Sequence, residues 1–295
     1  AGNRSVSSCC GSADVLEALG VQVDLSPTQV VECVEKCGIA FLFAPINHPA
    51  MKAVAPIRKQ LGVRTCFNIL GPMTNAASAQ RAVIGVFDED LLMLMAETLK
   101  EVGRVDHAVV IHGSGLDEIS PLGPASIVEV SETATFCFDR CTNSTVQYSF
   151  TSTVHVNNSL FFHDLSLKIM HSPSTTFAQI KNTAPPGEPR TYTTKTYQFD
   201  PLSLNIPRCT PEDLRGGDPA QNAKEFEMVL AGGEYTINAK KDSIVLNAGF
   251  GCYVYGLTNT IEEGCALARK TLIEGKGEEM LNKWRDVSKE IAGRG

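Results

Sequence analysis

The chain has 295 residues, 43% of them hydrophobic and 20% charged, the balance of an ordinary folded protein with room for one large domain or two smaller ones. Its formal net charge of −7 argues against a main role on nucleic acid or on an anionic membrane surface. No apolar run is long enough to span a bilayer as a helix.

The chain opens on a loop crowded with glycine and hydroxyl residues, from Gly2 to Gly11, which turns into an amphipathic helix running to Leu19. Such a loop offers backbone N–H groups and hydroxyls at a helix start, a good anion site. The plainer reading of Ser12 is a helix N-cap. Ser26-Pro27-Thr28-Gln29 predicts the next helix start, with Ser26 as N-cap, Pro27 in the first turn and Gly38 as the stop. Ile39 to Phe43, Ala82 to Phe87 and Ala108 to Ile111 are short apolar runs of the kind found in strands buried on both faces. A helix from Leu91 to Val102 separates the second from the third. This alternation predicts an α/β fold with a mostly parallel central sheet flanked by helices. Phe67 to Asn75 reads as a strand or helix end followed by a Gly71-Pro72 turn. Near the end, helices are expected over Ser243 to Leu257, from the capping box Thr260 to Glu263 through Ile273, and from Glu278 to Ile291 with the only tryptophan, Trp284.

One stretch, about 131–180, breaks the pattern. It is rich in Ser, Thr and Phe, poor in charge, and has no helical period. It reads as an irregular insertion, either a surface loop or translated non-coding sequence, with the second favoured. His155, His163 and His171 recur within it, but no helix or strand repeat brings them together, so they read as surface histidines and not as a metal site. The ten cysteines show no C-x-x-C pair, which predicts buried thiols in a reducing compartment.

Two groups of residues point to chemistry. The adjacent carboxylates Asp117 and Glu118 follow the apolar run 108–111, at the C-terminal end of an expected strand, where open α/β sheets place ligands. Hard oxygens of this kind suit Mg²⁺, although an Asp-Glu pair by itself is usually only solvated. The second group is Ala44 to Arg58, where a guanidinium at Arg58 would suit a planar carboxylate.

The run Gly2-Asn3-Arg4, Ser7-Ser8 and Gly11-Ser12-Ala13-Asp14 to Leu19-Gly20 closely resembles the signature of the anthranilate phosphoribosyltransferases. Gly115-Leu116-Asp117-Glu118-Ile119-Ser120, the 44–58 segment, Phe67 to Asn75 and Pro207 to Pro219 resemble further hallmarks of that family. The resemblance covers 1–130 and about 181–295. It implies a fold of the nucleoside phosphorylase/phosphoribosyltransferase type, formed by those two stretches, with a remnant of a small helical domain and hinge at about 45–62. It implies transfer of phosphoribosyl from phosphoribosyl diphosphate to the amine of anthranilate in tryptophan biosynthesis. By the same resemblance Gly2, Asn3, Arg4, Ser5, Val6, Ser7, Ser8 and Ser12 bind phosphoribosyl diphosphate. Asn3, His48 and Arg58 contact anthranilate, and Asp117 and Glu118 hold Mg²⁺. No residue is assigned as acid or base. A homodimer is expected at full length, with no nucleic-acid or membrane partner.

The family's upstream Gly-Thr-Gly-Gly-Asp phosphate loop is not in this chain, which opens inside the signature. A longer active parent is therefore expected, with this chain alone turning over little or nothing. Plant-like features, such as Cys10 before Gly11-Ser12, imply a plastid setting, and otherwise a cytoplasmic one. The alternatives are an inactive fragment, a pyrimidine nucleoside phosphorylase-like enzyme and a nucleic-acid-binding paralogue.

Overall fold

The computed structural model of the chain describes residues 2–5, 10–50, 54, 57, 60, 67–133, 154–157, 190–232 and 238–294. Among the expected site residues, Val6, Ser7, Ser8 and Arg58 lie outside the described residues, as do His163 and His171.

The elements in chain order are α1 (Ser12–Ala18), α2 (Pro27–Cys37), α3 (Ala44–Asn47), α4 (Phe67–Met73), β1 (Arg81–Gly85), α5 (Leu91–Val102), β2 (His107–Gly113), β3 (Ala125–Glu132), β4 (Val154–Asn157) and β5 (Tyr192–Phe199). After a short 3-10 turn come α6 (Pro211–Leu214), α7 (Pro219–Leu230), α8 (Asn238–Tyr255), α9 (Ile261–Ile273) and α10 (Lys276–Ala292).

The strands form one sheet in the order β4-β1-β2-β3-β5. β1 runs parallel to both β2 and β4, whereas β3 is antiparallel to β2 and to β5. The α/β arrangement is the expected one, but the sheet is mixed, with its parallel part confined to β4-β1-β2. β4 falls within the 131–180 stretch and supplies an edge strand.

Both faces of the central strands β1, β2 and β3 are covered, as the apolar runs predict for the first two. Val83, Val109, Ile111 and Ile127 point into a core shared with α1, α2, α7, α8 and α10. The alternate residues Ala82, Ile84, Ala108, Val110 and Val128 pack on α5 through Leu92, Met95, Ala96 and Leu99. α8 is buried around nearly its whole circumference, from Asp242 to Cys252, as a helix enclosed between the sheet and α9 must be. Trp284 of α10 is 1% exposed.

Local signals work where they are self-contained. Ser26 accepts from the Gln29 N–H at the start of α2, with Pro27 in its first turn. Thr260 accepts from the Glu263 N–H at the start of α9. Two expectations need correction. Ile39 to Phe43 is extended but not a strand. It makes one parallel bridge, Gly2 to Phe43, and buries only Ile39, Phe41 and Phe43, the alternation of a segment lying on one surface. Gly71-Pro72 is not a turn. Both residues lie inside α4, and Thr74 N–H still donates to the Leu70 carbonyl at 2.9 Å beyond the proline. Pro72 has no N–H to give the carbonyl four residues earlier, so this short helix forgoes one backbone bond in its last turn. Among the described residues the cysteines are thiols, with Cys33, Cys37, Cys252 and Cys265 buried.

Candidate active site

The opening loop is tied down at both ends. Gly2 N–H donates to the Leu42 carbonyl at 3.1 Å, and the Gly2 carbonyl accepts from Ala44 N–H at 2.9 Å. This bridge lays Asn3, Arg4 and Ser5 along the segment leading to His48. His48 itself closes α3, its N–H donating to the Ala44 carbonyl at 2.9 Å. Two of the expected aromatic-substrate contacts, Asn3 and His48, therefore sit on backbone segments that are stitched together.

The other end is closed by Asp14, a residue the sequence reading did not single out. Its Oδ2 accepts from Ser5 N–H and from Gly11 N–H, each at 2.8 Å. One carboxylate oxygen thus joins the two sides of the loop. A Cβ on Gly11 would fall 2.5 Å from the Ser5 nitrogen, so only glycine permits the approach. The spacing Gly11-x-x-Asp14 at a helix start is the signal that was available, because a carboxylate at the third helical position reaches back to the cap. Gly11, not Ser12, is the N-cap of α1. Ser12 instead donates its hydroxyl to the Asn3 carbonyl at 3.4 Å, and Asn3 Oδ1 accepts from Arg4 N–H at 2.8 Å. The Arg4 guanidinium forks onto Glu17, and its Cζ lies 4.6 Å from the centre of the Phe43 ring. It is held at the loop surface, half exposed and partly neutralised.

The acidic pair is built differently. β2 ends at Gly113, and residues 113–116 fold into a tight turn in which Ser114 and Gly115 both have positive φ, 49° and 89°. Gly113 and Leu116 exchange N–H···O bonds of 2.8 and 3.0 Å, the geometry of a two-residue hairpin turn. The chain then doubles back over the strand ends. A Cβ on Gly85, at the end of β1, would fall 1.7 Å from the Asp117 carbonyl oxygen, and one on Gly113 would fall 1.8 Å from that of Glu118. These glycines let the acidic pair lie directly on the C-terminal edge of the parallel strands.

Glu118 is buried and Asp117 half-buried. Both line an open pocket of about 360 Å³, together with Leu116 and Leu122, and with Pro211, Leu214 and Arg215 from the far side. The turn is fixed from beneath by Asn247 of α8. Its Oδ1 accepts from Ile119 N–H at 3.1 Å and its Nδ2 donates to the Ile119 carbonyl at 2.7 Å. Ile119 and Ala13 of α1 belong to the same buried cluster, so both halves of the candidate site stand on one core. Among the described residues no three His, Cys, Asp or Glu side chains gather as a metal cluster. The oxygen donors of Asp117, half-buried beside the open pocket, and of Glu118, buried next to it, suit Mg²⁺, which characteristically keeps waters and shares substrate phosphates instead of filling an all-protein cage.

Residues 1–142 and 152–278 match the glycosyl transferase family, a/b domain. Among curated proteins the chain is 36% identical over 294 residues to an anthranilate phosphoribosyltransferase of Methanosarcina acetivorans, covering 100% of the chain and 62% of the relative. It is also 36% identical to the enzyme of that name from Rubrobacter xylanophilus, covering 68% of it. The chain thus spans 62% and 68% of the length of these two curated relatives. Among solved structures it is similar to anthranilate phosphoribosyltransferase from Thermus thermophilus, with a TM-score of 0.71, 34% identity, and coverage of 98% of this chain and 67% of that one. A yeast enzyme of the same name, in complex with PRPP and Mg, shares the fold at a TM-score of 0.69 and 22% identity, over 98% of this chain and 64% of that one. No helix among the described residues is long and apolar enough to cross a membrane.

Proposed function

The chain belongs to the anthranilate phosphoribosyltransferases of the glycosyl transferase family, and we propose that it carries the phosphoribosyl-transfer site of such an enzyme. The reaction moves phosphoribosyl from phosphoribosyl diphosphate to the amine of anthranilate. A C–N bond forms at the anomeric carbon of the ribose, the C–O bond to diphosphate breaks, and the amine loses a proton. The observation that carries this reading is the placement of Asp117 and Glu118 on the C-terminal edge of β1 and β2, facing a pocket large enough for a diphosphate.

An aromatic amine is neutral near pH 7 and needs no strong base before it attacks. The barrier lies in expelling diphosphate, so stabilising the leaving group and aligning the two substrates do most of the work. A bound Mg²⁺ would neutralise charge on the departing diphosphate. Asp117 and Glu118 would hold that ion. Gly2, Asn3, Arg4, Ser5 and Ser12, with Val6, Ser7 and Ser8 of the same loop, would line the subsite for the phosphoribosyl moiety. Asn3, His48 and Arg58 would orient anthranilate, the guanidinium pairing with its carboxylate. The site would be formed by the α/β unit of 1–130 and 181–295, with 45–62 as the hinge segment and 131–180 as an insertion.

A homodimer at full length and a role in tryptophan biosynthesis complete the proposal. The test is turnover followed by loss of anthranilate fluorescence, in this chain and in a version extended upstream, with phosphoribosyl diphosphate and Mg²⁺. Activity in the extended protein that disappears in Asp117→Asn/Glu118→Gln supports the reading. Undiminished activity in that variant rejects it.

A further inference from the structure

We propose that helix α8 sets the gap across the acidic pocket, with Asn247 and Lys240 as positioning residues for its two walls. The inference rests on the reading of Asp117 and Glu118 as the metal-holding pair. Asn247 is 3% exposed and spends its whole amide on fixing backbone. Besides its two bonds to Ile119, the residue directly after Glu118, its Nδ2 donates to the Ser243 carbonyl at 2.8 Å. A polar side chain buried in an otherwise apolar stretch of helix is costly unless fully bonded. Here the bonding is to the acidic wall.

Two helical turns earlier, on the same stripe of α8, Lys240 is almost buried. Its Nζ donates to the Arg215 carbonyl at 2.7 Å and is ion-paired with Glu225 of α7. Arg215 lies on the opposite wall of the pocket. One rigid helix therefore grips both walls at anchors about 10 Å apart along its axis. A rotation or a change of anchor would alter the distance between the carboxylates and the 211–215 turn. Residues that orient metal ligands in this way typically change metal affinity about 10- to 100-fold when lost.

The experiment titrates Mn²⁺ into the chain in the presence of phosphoribosyl diphosphate, reading free Mn²⁺ by its electron paramagnetic resonance signal. Four proteins are compared: wild type, Asn247→Asp, Lys240→Met and Asp117→Asn/Glu118→Gln. Asn247→Asp keeps the size and the acceptor for Ile119 N–H but loses the donor to the Ile119 carbonyl. Lys240→Met keeps the chain length and loses the grip on Arg215. The expected result is a Kd for Mn²⁺ raised about tenfold in each single variant, with an unchanged circular dichroism spectrum, and no binding in the double carboxylate variant. A purely structural role would lower the melting temperature and leave the Kd alone. If both single variants bind like wild type while the carboxylate variant does not, the inference fails and the site stands. If the carboxylate variant binds like wild type, or wild type does not bind, the site reading fails and takes the inference with it. Should Asn247→Asp not fold, Lys240→Met alone decides.

Discussion

Adding one methyl group at Gly85 tests how the acidic pair is seated. In Gly85→Ala the new Cβ would fall 1.7 Å from the Asp117 carbonyl oxygen, whereas ordinary contact begins near 3.4 Å. The Asp117 backbone must therefore retreat by about 1.7 Å from the strand edge, because the other party is the β1 backbone held by β2 and β4. Overpacking of this kind costs about 1–3 kcal/mol of stability. The larger effect is on chemistry, because a misplacement of about 1 Å in a positioned group costs on the order of a hundredfold in rate. Turnover in the version extended upstream, and thermal melting, would be measured beside Gly71→Ala, at which a Cβ meets nothing within 4 Å. The expected outcome is a fall in turnover of about 100-fold or more for Gly85→Ala, with a protein that still melts cooperatively, and little change for Gly71→Ala. Wild-type turnover in Gly85→Ala would refute the seating of the acidic pair on the strand ends.

Asp14→Ala removes the single carboxylate that joins Ser5 N–H to Gly11 N–H. It should cost about 1–3 kcal/mol of stability and raise the KM for phosphoribosyl diphosphate more than it lowers kcat, as steady-state kinetics would report. At the far end of the sheet, burial pushes the Glu129 carboxyl up, but hydrogen bonds from His107 and Tyr253, each 2.7 Å, outweigh it and hold its pKa below the usual carboxylate range. A carboxylate with a depressed folded pKa binds fewer protons folded than unfolded, so its stabilisation is present above about pH 4.3 and is lost as pH falls through the folded value. Melting temperatures recorded from pH 6 to pH 3 should fall less steeply in Tyr253→Phe than in wild type, and identical slopes would contradict this. Burial pushes the Cys252 and Cys265 thiols up to about 12, so neither should react with a disulfide reagent in the folded protein at pH 8. Labelling followed by peptide mass analysis checks this, and rapid modification of either would show that the α8–α9 contact opens readily.

Much of the scaffold is written locally. Val83, Ile84, Val109 and Val110 form runs with no polar alternation, and the sheet buries both of their faces. Ser26 and Thr260 cap the helices that their neighbours announce. Strand direction is not local information. Ile127, Val128 and Val130 are as apolar as β2, yet β3 runs antiparallel to it because only the short 114–124 connection separates them. Ile39 to Phe43 has strand composition but, among the described residues, no bridge partner other than Gly2, so it stays a bridged segment and not a strand. α8 begins at Asn238, ahead of the apolar residues that mark it in the sequence, because its first turn reaches Glu225 and the Arg215 carbonyl through Lys240. At the site, Asp117 and Glu118 stand out because they follow an apolar strand and a glycine turn. Asn247 is visible only as a polar residue in an apolar helix, and its partner, 128 residues away, is supplied by the fold. Glycines 85 and 113 read as strand residues until the turn lying on them is seen.

The central claim is that Asp117 and Glu118 tie phosphoribosyl diphosphate to the protein through a divalent ion. Titration calorimetry of phosphoribosyl diphosphate into the chain, with Mg²⁺ and again with excess EDTA, tests it most directly, beside the Asp117→Asn/Glu118→Gln variant. The account predicts binding heat that requires Mg²⁺ in the wild type and is lost or much weakened in the variant. Equal binding with and without the metal, or equal binding in the two proteins, would contradict it.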